Sequence, residues 1–547
     1  MNSPGGSLPV DVVTSPERRA AFVASGAWDG TTLAGRVRRH ATAAGTAPAV
    51  IDGPGGRVHA YAELDGDADR VAGHLRSLGV EPGDVVSVQL PNWYETVAID
   101  LAVLRIGAVL NPLLPVYRAN ELRHMLAVGA VRVLFTPGTY RGFDHRAMVE
   151  GLRPALPALE HHVTIDPGGG LPGARTDPSS DPGGGPPPPG DPAAVSELLF
   201  TSGTEATPKA IMHTEQTTGA AVRTAARDLG LGRSDVVWMP SPIGHSTGLN
   251  YGVRMALHHG LPLVLQDRWS PEDAVILVST HRCTYTVAAT TFLADFVEAA
   301  RNRRADVSSL RLFGSGGAPV PAELVTAAGA VGVNVLRLYG STEVLVATWN
   351  RPDDPLDRRV MTDGRPLGGV EVEVRAGDGR AVVGEPGEIY VRSPATAVGF
   401  HADPVRTAAT FGPGGWVRSG DLGVLGSDGH LAIVGRRKEI IIRGGLNIAP
   451  RELEDLIGAL PGVAAVAVVG VPDDRLGELT CACVVPAPGA APPTLEGIVA
   501  ALREKGLASY KLPQRLELVA ALPTTATGKI QKFRLRSDIR ERDSSPR

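Results

Sequence analysis

Lysine is scarce in this chain of 547 residues, in which only six of the 54 lysines and arginines are lysine. Three of the six lie in segments that read as motifs, namely Lys209, Lys438 and Lys529. Arginine offers a planar fork of donors, whereas lysine offers a compact ammonium on a flexible stem. A chain that uses arginine almost everywhere else therefore suggests that these three positions need a point charge. Chance is the alternative in so small a sample.

Cysteine, long apolar runs and excess charge are also in short supply. The cysteines Cys283, Cys481 and Cys483 give neither a disulfide framework nor a zinc-binding pattern, so we expect buried thiols in a reducing compartment. No apolar run reaches about 18 residues and the N-terminus has no charged-then-apolar leader, which predicts a cytoplasmic protein without a membrane span. A net charge of −4 argues against a nucleic-acid partner. The sequence leaves open whether the protein forms a homodimer.

The first third of the chain alternates between helical and strand-like patterns. Apolar residues at helical spacing over 60–80 stop at Gly79, residues 84–90 read as a strand, and residues 92–107 read as a helix. Alternation of this kind predicts an α/β fold with mostly parallel sheets covered by helices. Residues 166–193 are too rich in glycine and proline for regular structure, and we interpret them as a surface linker.

The pattern changes in the last third. Residues 370–376 and 387–393 look like antiparallel strands of a small β unit. From about residue 436 the order becomes ββαββα, followed by an extended basic tail. Because the chain is too long for one core, we predict a large N-terminal domain, 1–436, and a small α+β C-terminal domain, 437–547.

A run of hydroxyl and glycine residues follows an apolar strand at 196–203. The segment TSGTEATPKA, residues 201–210, carries Lys209 near its end. Hydroxyls and backbone amides suit phosphate oxygens, and a terminal ammonium neutralises their charge. The spacing is not that of a Walker A loop, because the second glycine and the hydroxyl after the lysine are missing. The segment predicts a phosphate loop, with a plain strand-to-helix turn as the alternative.

Four later segments add complementary side chains. LRLYGSTEV places the ring of Tyr339 beside a glycine turn, the hydroxyl of Thr342 and the carboxylate of Glu343. Such a set can stack on a base, touch a phosphate and hold Mg²⁺ through oxygen. Asp421, which we predict in a turn, can accept both ribose hydroxyls. Arg436 lies at a suspected hinge, and the segment TGKIQK supplies a lysine on the tail.

In this order and spacing, the segments resemble the adenylate-forming superfamily of acyl-CoA synthetases, nonribosomal adenylation domains and beetle luciferases. The matching segments run from about 198 to 536, and 30–165 fits the family's N-terminal half. The resemblance implies that the large domain binds ATP and a carboxylic acid and joins them as an acyl-adenylate, releasing pyrophosphate. A mobile C-terminal domain then swings about a hinge at Lys438 so that coenzyme A can attack. The catalytic work is positioning and charge neutralisation.

The resemblance also implies roles for single residues. Lys529 bridges the carboxylate and the α-phosphate, Thr342 contacts the α-phosphate, and Glu343 holds Mg²⁺ together with Thr204. His245 shields the acyl pocket, with a plain core or capping histidine as the alternative. The other positions implied to contact ATP, acyl-AMP or coenzyme A are Thr201, Ser202, Gly203, Lys209, Gly316, Gly317, Ala318, Tyr339, Gly340, Ser341, Asp421, Arg436, Lys438, Gly444 and Gly445.

Within this set, the resemblance divides the ligand between different segments. Tyr339 stacks on adenine, and the backbone of 316–318 lines the other side of the base. Asp421 and Arg436 hold the ribose. The glycines at 444–445 let pantetheine run close to the backbone in the second step. For each of these residues the alternative is a surface charge or an ordinary turn residue.

The phosphate loop departs from the family's pattern at three positions. Glu205 stands where the family has threonine, and Ala206 and Ala210 stand where it has glycine. A carboxylate at roughly 5 Å from the triphosphate would cost ~3 kcal/mol per phosphate charge, and a Cβ where φ must be positive costs a further ~1–2 kcal/mol. One hypothesis is that adenylation is weak and the enzyme uses preformed acyl-AMP. The alternative is that Glu205 turns outward and ATP binds normally.

The segment MPSPIGHSTGLNYG, residues 239–252, resembles the part of the family that lines the acyl pocket. Amino-acid-activating relatives carry an aspartate near its start, and its absence argues against an amino acid. Small residues at Gly248, Gly252, Gly314 and Gly316 predict room for a bulky acyl group. The residue pattern of the segment most resembles that of ligases for alicyclic or bulky acids.

Several functions are therefore weighed. The first expectation is a carboxylic acid:CoA ligase. The alternatives are the transfer-only enzyme described above, a ligase that loads an acyl carrier protein, a catalytically inactive relative that binds nucleotide or acyl-AMP and regulates, and, remotely, a light-emitting oxygenase.

Overall fold

The computed structural model describes residues 14–53, 56–173, 190–201, 208–443, 446–473, 476–525 and 528–544. Most of the predicted glycine- and proline-rich linker, residues 174–189, lies outside these ranges. The described residues form two compact units. The first takes those of 1–203, 207–371 and 391–417, and the second takes those of 372–390 and 418–547. Within the described ranges, none of the helices is long and apolar enough to cross a membrane.

The helices of the described residues are α1 (Pro16–Ala24), α2 (Leu33–Ala44), α3 (Tyr61–Ser77), α4 (Tyr94–Arg105), α5 (Ala119–Val128), α6 (His145–Leu152), α7 (Glu215–Leu229), α8 (Ser246–Gly248), α9 (Met255–His259), α10 (Pro271–His281), α11 (Thr290–Arg303), α12 (Ala322–Ala330), α13 (Leu356–Met361), α14 (Pro404–Thr410), α15 (Pro450–Gly458), α16 (Leu495–Glu504) and α17 (Lys532–Ser544). A π-helical turn, Leu249–Arg254, joins α8 to α9.

The strands are β1 (Pro48–Asp52), β2 (Val58–Ala60), β3 (Val85–Val88), β4 (Val109–Pro112), β5 (Val133–Pro137), β6 (Thr139–Tyr140), β7 (Phe143–Asp144), β8 (His161–Ile165), β9 (Val195–Thr201), β10 (Lys209–Thr214), β11 (Val237–Met239), β12 (Leu263–Leu265), β13 (Tyr285–Ala288), β14 (Leu312–Gly316), β15 (Val335–Ser341), β16 (Leu345–Trp349), β17 (Arg365–Pro366), β18 (Glu371–Arg375), β19 (Ala381–Val382), β20 (Pro386–Arg392), β21 (Gly399–Phe400), β22 (Val417–Leu425), β23 (Leu431–Arg436), β24 (Ile441–Arg443), β25 (Leu446–Ile448), β26 (Val463–Asp473), β27 (Gly477–Pro486) and β28 (Arg515–Leu518).

The first unit is built on two sheets. One has the strand order β17-β16-β15-β14-β13-β11-β12-β1-β2, and the other has the order β21-β10-β9-β4-β3-β5-β8. The central pairings, such as β13 with β14 and β3 with β4, are parallel. The edge strands β2, β17 and β21 pair antiparallel, whereas the edge strand β8 pairs parallel with β5. The largest apolar cluster takes residues from both sheets and from α2, α3, α4, α7 and α9. The α/β fold expected from the sequence is therefore confirmed.

Helix α4 shows why the predicted alternation folds this way. Every one of its residues from Tyr94 to Arg105 is buried, including the charged residues Glu95, Asp100 and Arg105, and the helix lies between layers. The preceding helix, α3, ends before Gly79, which has a φ of 78°. Glycine tolerates that left-handed conformation, so the predicted stop at this residue is confirmed.

The second unit contains two smaller sheets. One has the order β19-β18-β20-β22-β23, and the other has the order β25-β24-β27-β26 with β28 paired to β27. Helices α15 and α16 pack on the second of these sheets through Leu453, Ile457, Ile498 and Leu502. The predicted ββαββα order is confirmed, with β28 added. The predicted domain boundary at Arg437–Lys438 stays a prediction.

The prediction of an extended basic tail is wrong. Residues after Gln531 form α17, and its Leu535 and Ile539 are buried. These two side chains pack with Cys481 and Cys483 on β27. Burial of apolar surface offsets the poor intrinsic amphipathicity of this charged helix. All three cysteines are free and buried, as expected.

Buried histidines should make the fold sensitive to acid. Burial, with smaller contributions from Arg153 and Arg146, lowers the pKa of His162 from 6.5 to about 4. Between these two pKa values the His162 imidazole binds a proton in the unfolded chain but not in the folded chain. The free energy of unfolding therefore decreases as the pH falls from about 6.5 toward about 4. After allowance for solvent screening, we expect His162 to cost about 1 kcal/mol at pH 5. Melting temperatures at pH 7.5 and pH 5 would measure this loss.

The variant His162→Gln should lose less stability over that pH range, because glutamine does not titrate. The neighbouring variant His161→Gln is the control, since His161 lies on the same strand with its side chain partly exposed. An equal pH dependence in wild type and His162→Gln would contradict the assignment.

Candidate active site

The predicted phosphate loop joins two strands of one hairpin. Strands β9 and β10 pair antiparallel, and Thr201 lies opposite Lys209 at the end of the pair next to the loop. The alternative of a strand-to-helix turn is therefore wrong. Lys209 Nζ lies 5.9 Å from the centroid of the Phe400 ring. The predicted loop residues Ser202, Gly203 and Thr204 lie outside the described residues, as do Glu205 and Ala206.

The expected strain at Ala210 is absent. This residue lies in β10, pairs with Phe200, and is 5% exposed in an apolar cluster. It is not among the described non-glycine residues with positive φ. The expectation of a Cβ penalty at this position is wrong, because an extended strand accepts any side chain except proline without strain. Alanine here adds packing rather than cost.

Thr342 and Glu343 lie in the turn between β15 and β16. The strands pair antiparallel, with a register shift between Tyr339 and Gly340. A Cβ at Gly340 would lie 2.0 Å from the carbonyl oxygen of Leu345, so only glycine fits there. Leu345 itself has a φ of 56°, a left-handed conformation that leucine seldom adopts. The turn is therefore tight, and its geometry must be stabilised from outside.

Three hydrogen bonds from distant residues hold this turn. The ring nitrogen Nε2 of His213 lies 2.7 Å from the carbonyl oxygen of Thr342. The amide of Ala397 donates to the carbonyl of Glu343 over 2.8 Å. The amide of Val346 donates to the hydroxyl oxygen of Tyr251 over 2.8 Å. Sequence reasoning missed all three partners, and the only signal was the polar residue His213 directly after the apolar residues 210–212 of β10.

The segment 316–318 lies next to Tyr339 in the sheet. Gly316 ends β14 and pairs with Leu338 of the parallel strand β15. A Cβ on Gly316 would lie 2.3 Å from the Leu338 carbonyl oxygen, and the next residue, Gly317, has a φ of 76°. Tyr339 is 7% exposed. The ends of parallel strands are where α/β folds bind ligands, so the structure brings together these predicted adenine contacts.

His245 acts as a helix cap in the described contacts. Its Nδ1 accepts a hydrogen bond from the amide of Thr247 over 3.2 Å, at the start of α8. This is the contact expected from the capping alternative, and a role in shielding the acyl group stays a prediction. Nearby, the Ser241 hydroxyl donates to the carbonyl of Val287.

The predicted space for a bulky acyl group is occupied by the protein itself. A Cβ at Gly314 would lie 2.5 Å from the Trp349 ring, and one at Gly252 would lie 2.6 Å from Met239. At Gly248 the carbonyl oxygen of Pro242 would be 2.1 Å away. The expectation of room at these glycines is wrong, because glycine here permits close packing of neighbouring chain segments.

In the second unit, Asp421 and Arg436 are brought together. They lie opposite each other on β22 and β23, and Arg436 Nε is 3.0 Å from Asp421 Oδ1. Asp421 is 7% exposed and its amide donates to the hydroxyl of Ser419. It lies within a strand rather than in the predicted turn, after Gly420, which has a φ of 74°. A carboxylate beside a guanidinium at a strand edge suits the two hydroxyls of a ribose.

Lys529 lies in a closed turn just before α17. Its amide donates to the hydroxyl of Thr525 over 3.1 Å, its carbonyl accepts from the Thr525 amide over 2.7 Å, and Thr524 pairs with Ile530. Lys438, the predicted hinge residue, is exposed in the short helical turn Arg437–Glu439. The two predicted pantetheine glycines, 444 and 445, lie outside the described residues.

The residues present fit a Mg²⁺ ion that is held mainly by substrate phosphates and water, with one carboxylate from the protein. Glu343 is half-buried and offers one carboxylate. Among the described residues there is no group of three or more His, Cys, Asp or Glu side chains that could enclose a metal. Mg²⁺ typically keeps several waters and uses one or two carboxylates plus substrate phosphates. Glu343 would thus hold the ion only together with a nucleotide.

Comparisons with known proteins show the family to which the chain belongs. The family described as AMP-binding enzyme matches residues 37–401, and its C-terminal domain matches residues 452–529. The chain therefore belongs to the AMP-binding enzyme family. It is an enzyme of the acyl-CoA and acyl-AMP ligase type.

Two relatives and one solved structure indicate the range of the family. The chain is 36% identical over 546 residues to the medium-chain fatty-acid–CoA ligase of Escherichia coli strain K12, covering 98% of this chain and 95% of the relative. It is 33% identical to the 2-hydroxy-7-methoxy-5-methyl-1-naphthoate–CoA ligase of Streptomyces carzinostaticus, covering 97% of each. An anthranilate CoA ligase in complex with anthranoyl-AMP superposes with a TM-score of 0.83, at 26% identity, over 93% of this chain and 97% of the other.

Proposed function

We propose that this protein converts a carboxylic acid through an acyl-adenylate into its coenzyme A thioester. The observation that carries the proposal is the turn of Thr342 and Glu343, which is tight, strained at Leu345 and held by three remote hydrogen bonds. Such preorganisation is what phosphoryl and nucleotidyl transfer requires, because positioning and charge neutralisation supply most of the catalysis. ATP supplies the leaving group that a carboxylate lacks.

In this proposal each unit contributes its own groups. In the first unit, Thr342 contacts the α-phosphate, Glu343 holds Mg²⁺, and Lys209 neutralises phosphate charge. In the second unit, Asp421 and Arg436 bind the ribose, and Lys529 stabilises the charge shared by the acid and the α-phosphate. The predicted division into domains 1–436 and 437–547, with the hinge at Lys438, is part of the same proposal.

The acid is proposed to lack an ammonium group. The segment 239–252 has Ser241 and Ile243 near its start. The Ser241 hydroxyl donates to the Val287 carbonyl, and Ile243 is buried. Neither side chain could pair with a substrate cation in a buried site. Since Trp349 and Met239 fill the space beside the glycines, we expect a flexible medium-chain or a flat aryl acid in preference to a bulky alicyclic one.

A panel of acids tests this function. Octanoate, benzoate, cyclohexanecarboxylate and phenylalanine would each be supplied with ATP, Mg²⁺ and coenzyme A, while pyrophosphate release and the mass of the thioester are measured. We expect octanoate or benzoate to give both products and phenylalanine to give neither. Preferential activation of phenylalanine, or acyl-adenylate without any thioester, would contradict the proposal.

The same assay separates the transfer-only alternative. That enzyme would form thioester from synthetic acyl-AMP but release no pyrophosphate from ATP and acid. If so, the triple change Glu205→Thr, Ala206→Gly and Ala210→Gly should restore release. The regular strand geometry of Ala210 indicates that any such gain comes from the first two positions.

A further inference from the structure

The buried histidine of β10 contacts the candidate catalytic turn through its backbone. His213 is completely buried, and its Nε2 lies 2.7 Å from the carbonyl oxygen of Thr342. Its other ring nitrogen, Nδ1, lies 3.1 Å from the hydroxyl of Thr217. No sequence motif assigned His213 to the site, although it lies four residues after Lys209. The ring thus joins the hairpin of the phosphate loop to the turn that carries Glu343.

The chemistry of the partners fixes the state of the ring. A carbonyl oxygen can only accept, so Nε2 must carry a proton. Burial lowers the pKa of His213, with Glu197 and the Thr342 carbonyl opposing that effect, so the ring is neutral. Nδ1 is then an acceptor that faces the Thr217 hydroxyl at 3.1 Å, and the single proton of that hydroxyl also has the Thr214 carbonyl oxygen within reach at 2.9 Å. The Nε2–H donor is satisfied in this tautomer, and contacts at both nitrogens restrain the ring.

The far end of this contact is anchored in rigid structure. Thr217 lies in the first turn of α7, where its amide donates to the Thr214 hydroxyl and its own hydroxyl oxygen accepts from the Thr214 amide. This reciprocal cap fixes the start of α7, which the His213 ring contacts through Thr217. Nearby, the completely buried pair of Arg254 and Glu197 joins at 3.0 Å, and both charges act on His213.

The near end needs such an anchor. Leu345, two residues after Glu343, holds a left-handed conformation that is unfavourable for a residue with a Cβ. Without an external constraint the turn would relax, and the carboxylate of Glu343 would move with it. A displacement of about 1 Å in a positioned group can cost a hundredfold in rate.

We propose that His213 is a positioning residue, whose Nε2–H fixes the Thr342 carbonyl and thereby the placement of Thr342 and Glu343 toward Mg²⁺ and the α-phosphate. The inference rests on the proposed function for the identity of the ligand. It assigns no direct contact between His213 and the substrate.

Three substitutions at this position separate positioning from bulk stability. In His213→Gln the amide nitrogen falls where Nε2 lay, so the donor to Thr342 is kept. In His213→Asn the amide nitrogen falls where Nδ1 lay, so that donor is lost, and in His213→Leu both polar contacts are lost. The control is Tyr61→Phe, which removes a buried hydroxyl that donates to the Leu261 carbonyl over 3.0 Å in the same unit. The same hydroxyl lies 3.4 Å from the Ala256 carbonyl, so the substitution removes a buried donor to backbone carbonyls, as His213→Leu does, without changing a residue of the motifs.

Calorimetric binding of ATP in the presence of Mg²⁺, without any acid, is the first measurement. We expect His213→Asn and His213→Leu to bind Mg²⁺–ATP about tenfold or more weakly, with His213→Gln and Tyr61→Phe close to wild type. In the pyrophosphate assay, kcat should fall about 10- to 100-fold in the same two variants, while the KM for the acid changes little. If His213→Leu does not fold, the comparison of the glutamine and asparagine variants carries the test.

Equal binding by His213→Gln and His213→Asn, or a loss no larger than that of Tyr61→Phe, would overturn the inference and leave His213 a core residue. Failure of the proposed function looks different. Wild type would then release no pyrophosphate with any acid, whereas the order of Mg²⁺–ATP affinities among the variants could still be measured.

Discussion

Replacing Lys529 with alanine is expected to reduce acyl-adenylate formation by about 100- to 1,000-fold, the usual loss when one preorganised donor to a developing charge is removed. The carboxylate and the α-phosphate are both negative, and their approach needs a compact cation between them. Lys529 fits this role because the turn formed with Thr525 fixes its backbone while its stem stays flexible. Pyrophosphate release under saturating ATP and acid measures the effect.

Thioester formation from synthetic acyl-AMP should survive in the same variant, because the acid is then already joined to the phosphate. The matched control is Lys505→Ala, which removes an exposed lysine of the second unit just after α16. Equal losses in both half-reactions would indicate a folding defect. Full pyrophosphate release by Lys529→Ala would end the assignment of this lysine.

The sequence was most informative where a local signal and the tertiary environment agree. The helix over 60–80 ends before Gly79 because glycine accepts a φ of 78°, and this was readable from the residue type alone. The alternation of strand and helix patterns likewise predicted the parallel sheets, because helices connect parallel strands. The helix α4 could be recognised from its apolar residues, but its complete burial could not, because it carries Glu95, Asp100 and Arg105.

The tail helix illustrates the opposite case. The segment KFRLRSDIRERDS is highly charged, and its apolar residues Leu535 and Ile539 give only a weak helical period. What stabilises α17 is burial of those two side chains against Cys481 and Cys483, which are about 50 residues earlier in the chain. No local pattern reports such a contact.

The site divides in the same way. The family resemblance placed Asp421 and Arg436 in one role, and pairing of β22 with β23 brings them to 3.0 Å. The anchors of the turn that carries Thr342 and Glu343 could not be predicted, because His213 and Tyr251 are distant in sequence and contact backbone atoms. The glycines misled for a related reason: sequence reports a missing side chain but not the neighbour, such as Trp349, that fills the space.

Replacing Lys532 with methionine is expected to weaken adenylation about 10- to 100-fold by releasing the segment that carries Lys529. Lys532 opens α17, and its Nζ lies 3.0 Å from Glu439 and 2.8 Å from Glu454. These carboxylates belong to the turn after β23 and to α15, so one ammonium ties three segments together. All three side chains are mostly buried. Burial alone would raise the pKa of Glu439, but Lys532, with Arg436 and Lys529, holds that pKa below its ordinary value.

Methionine keeps the length of the stem but leaves two carboxylates close together without their cation. Removing one partner of a buried pair costs about 3–5 kcal/mol, and these partly exposed groups should lose somewhat less. The melting temperature of the second unit should therefore fall together with the rate of pyrophosphate release, whereas Lys532→Arg should keep most of both.

Lys511→Met provides the control that separates lost charge from lost position. Lys511 pairs with Glu452, also on α15, at 2.6 Å, but it lies outside the tail. Its removal should lower stability with little change in adenylation once the enzyme is folded. If the two methionine variants lose adenylation equally at matched stability, Lys532 contributes only to folding. If Lys532→Met alone loses it, the position of Lys529 depends on the contacts of Lys532 with Glu439 and Glu454.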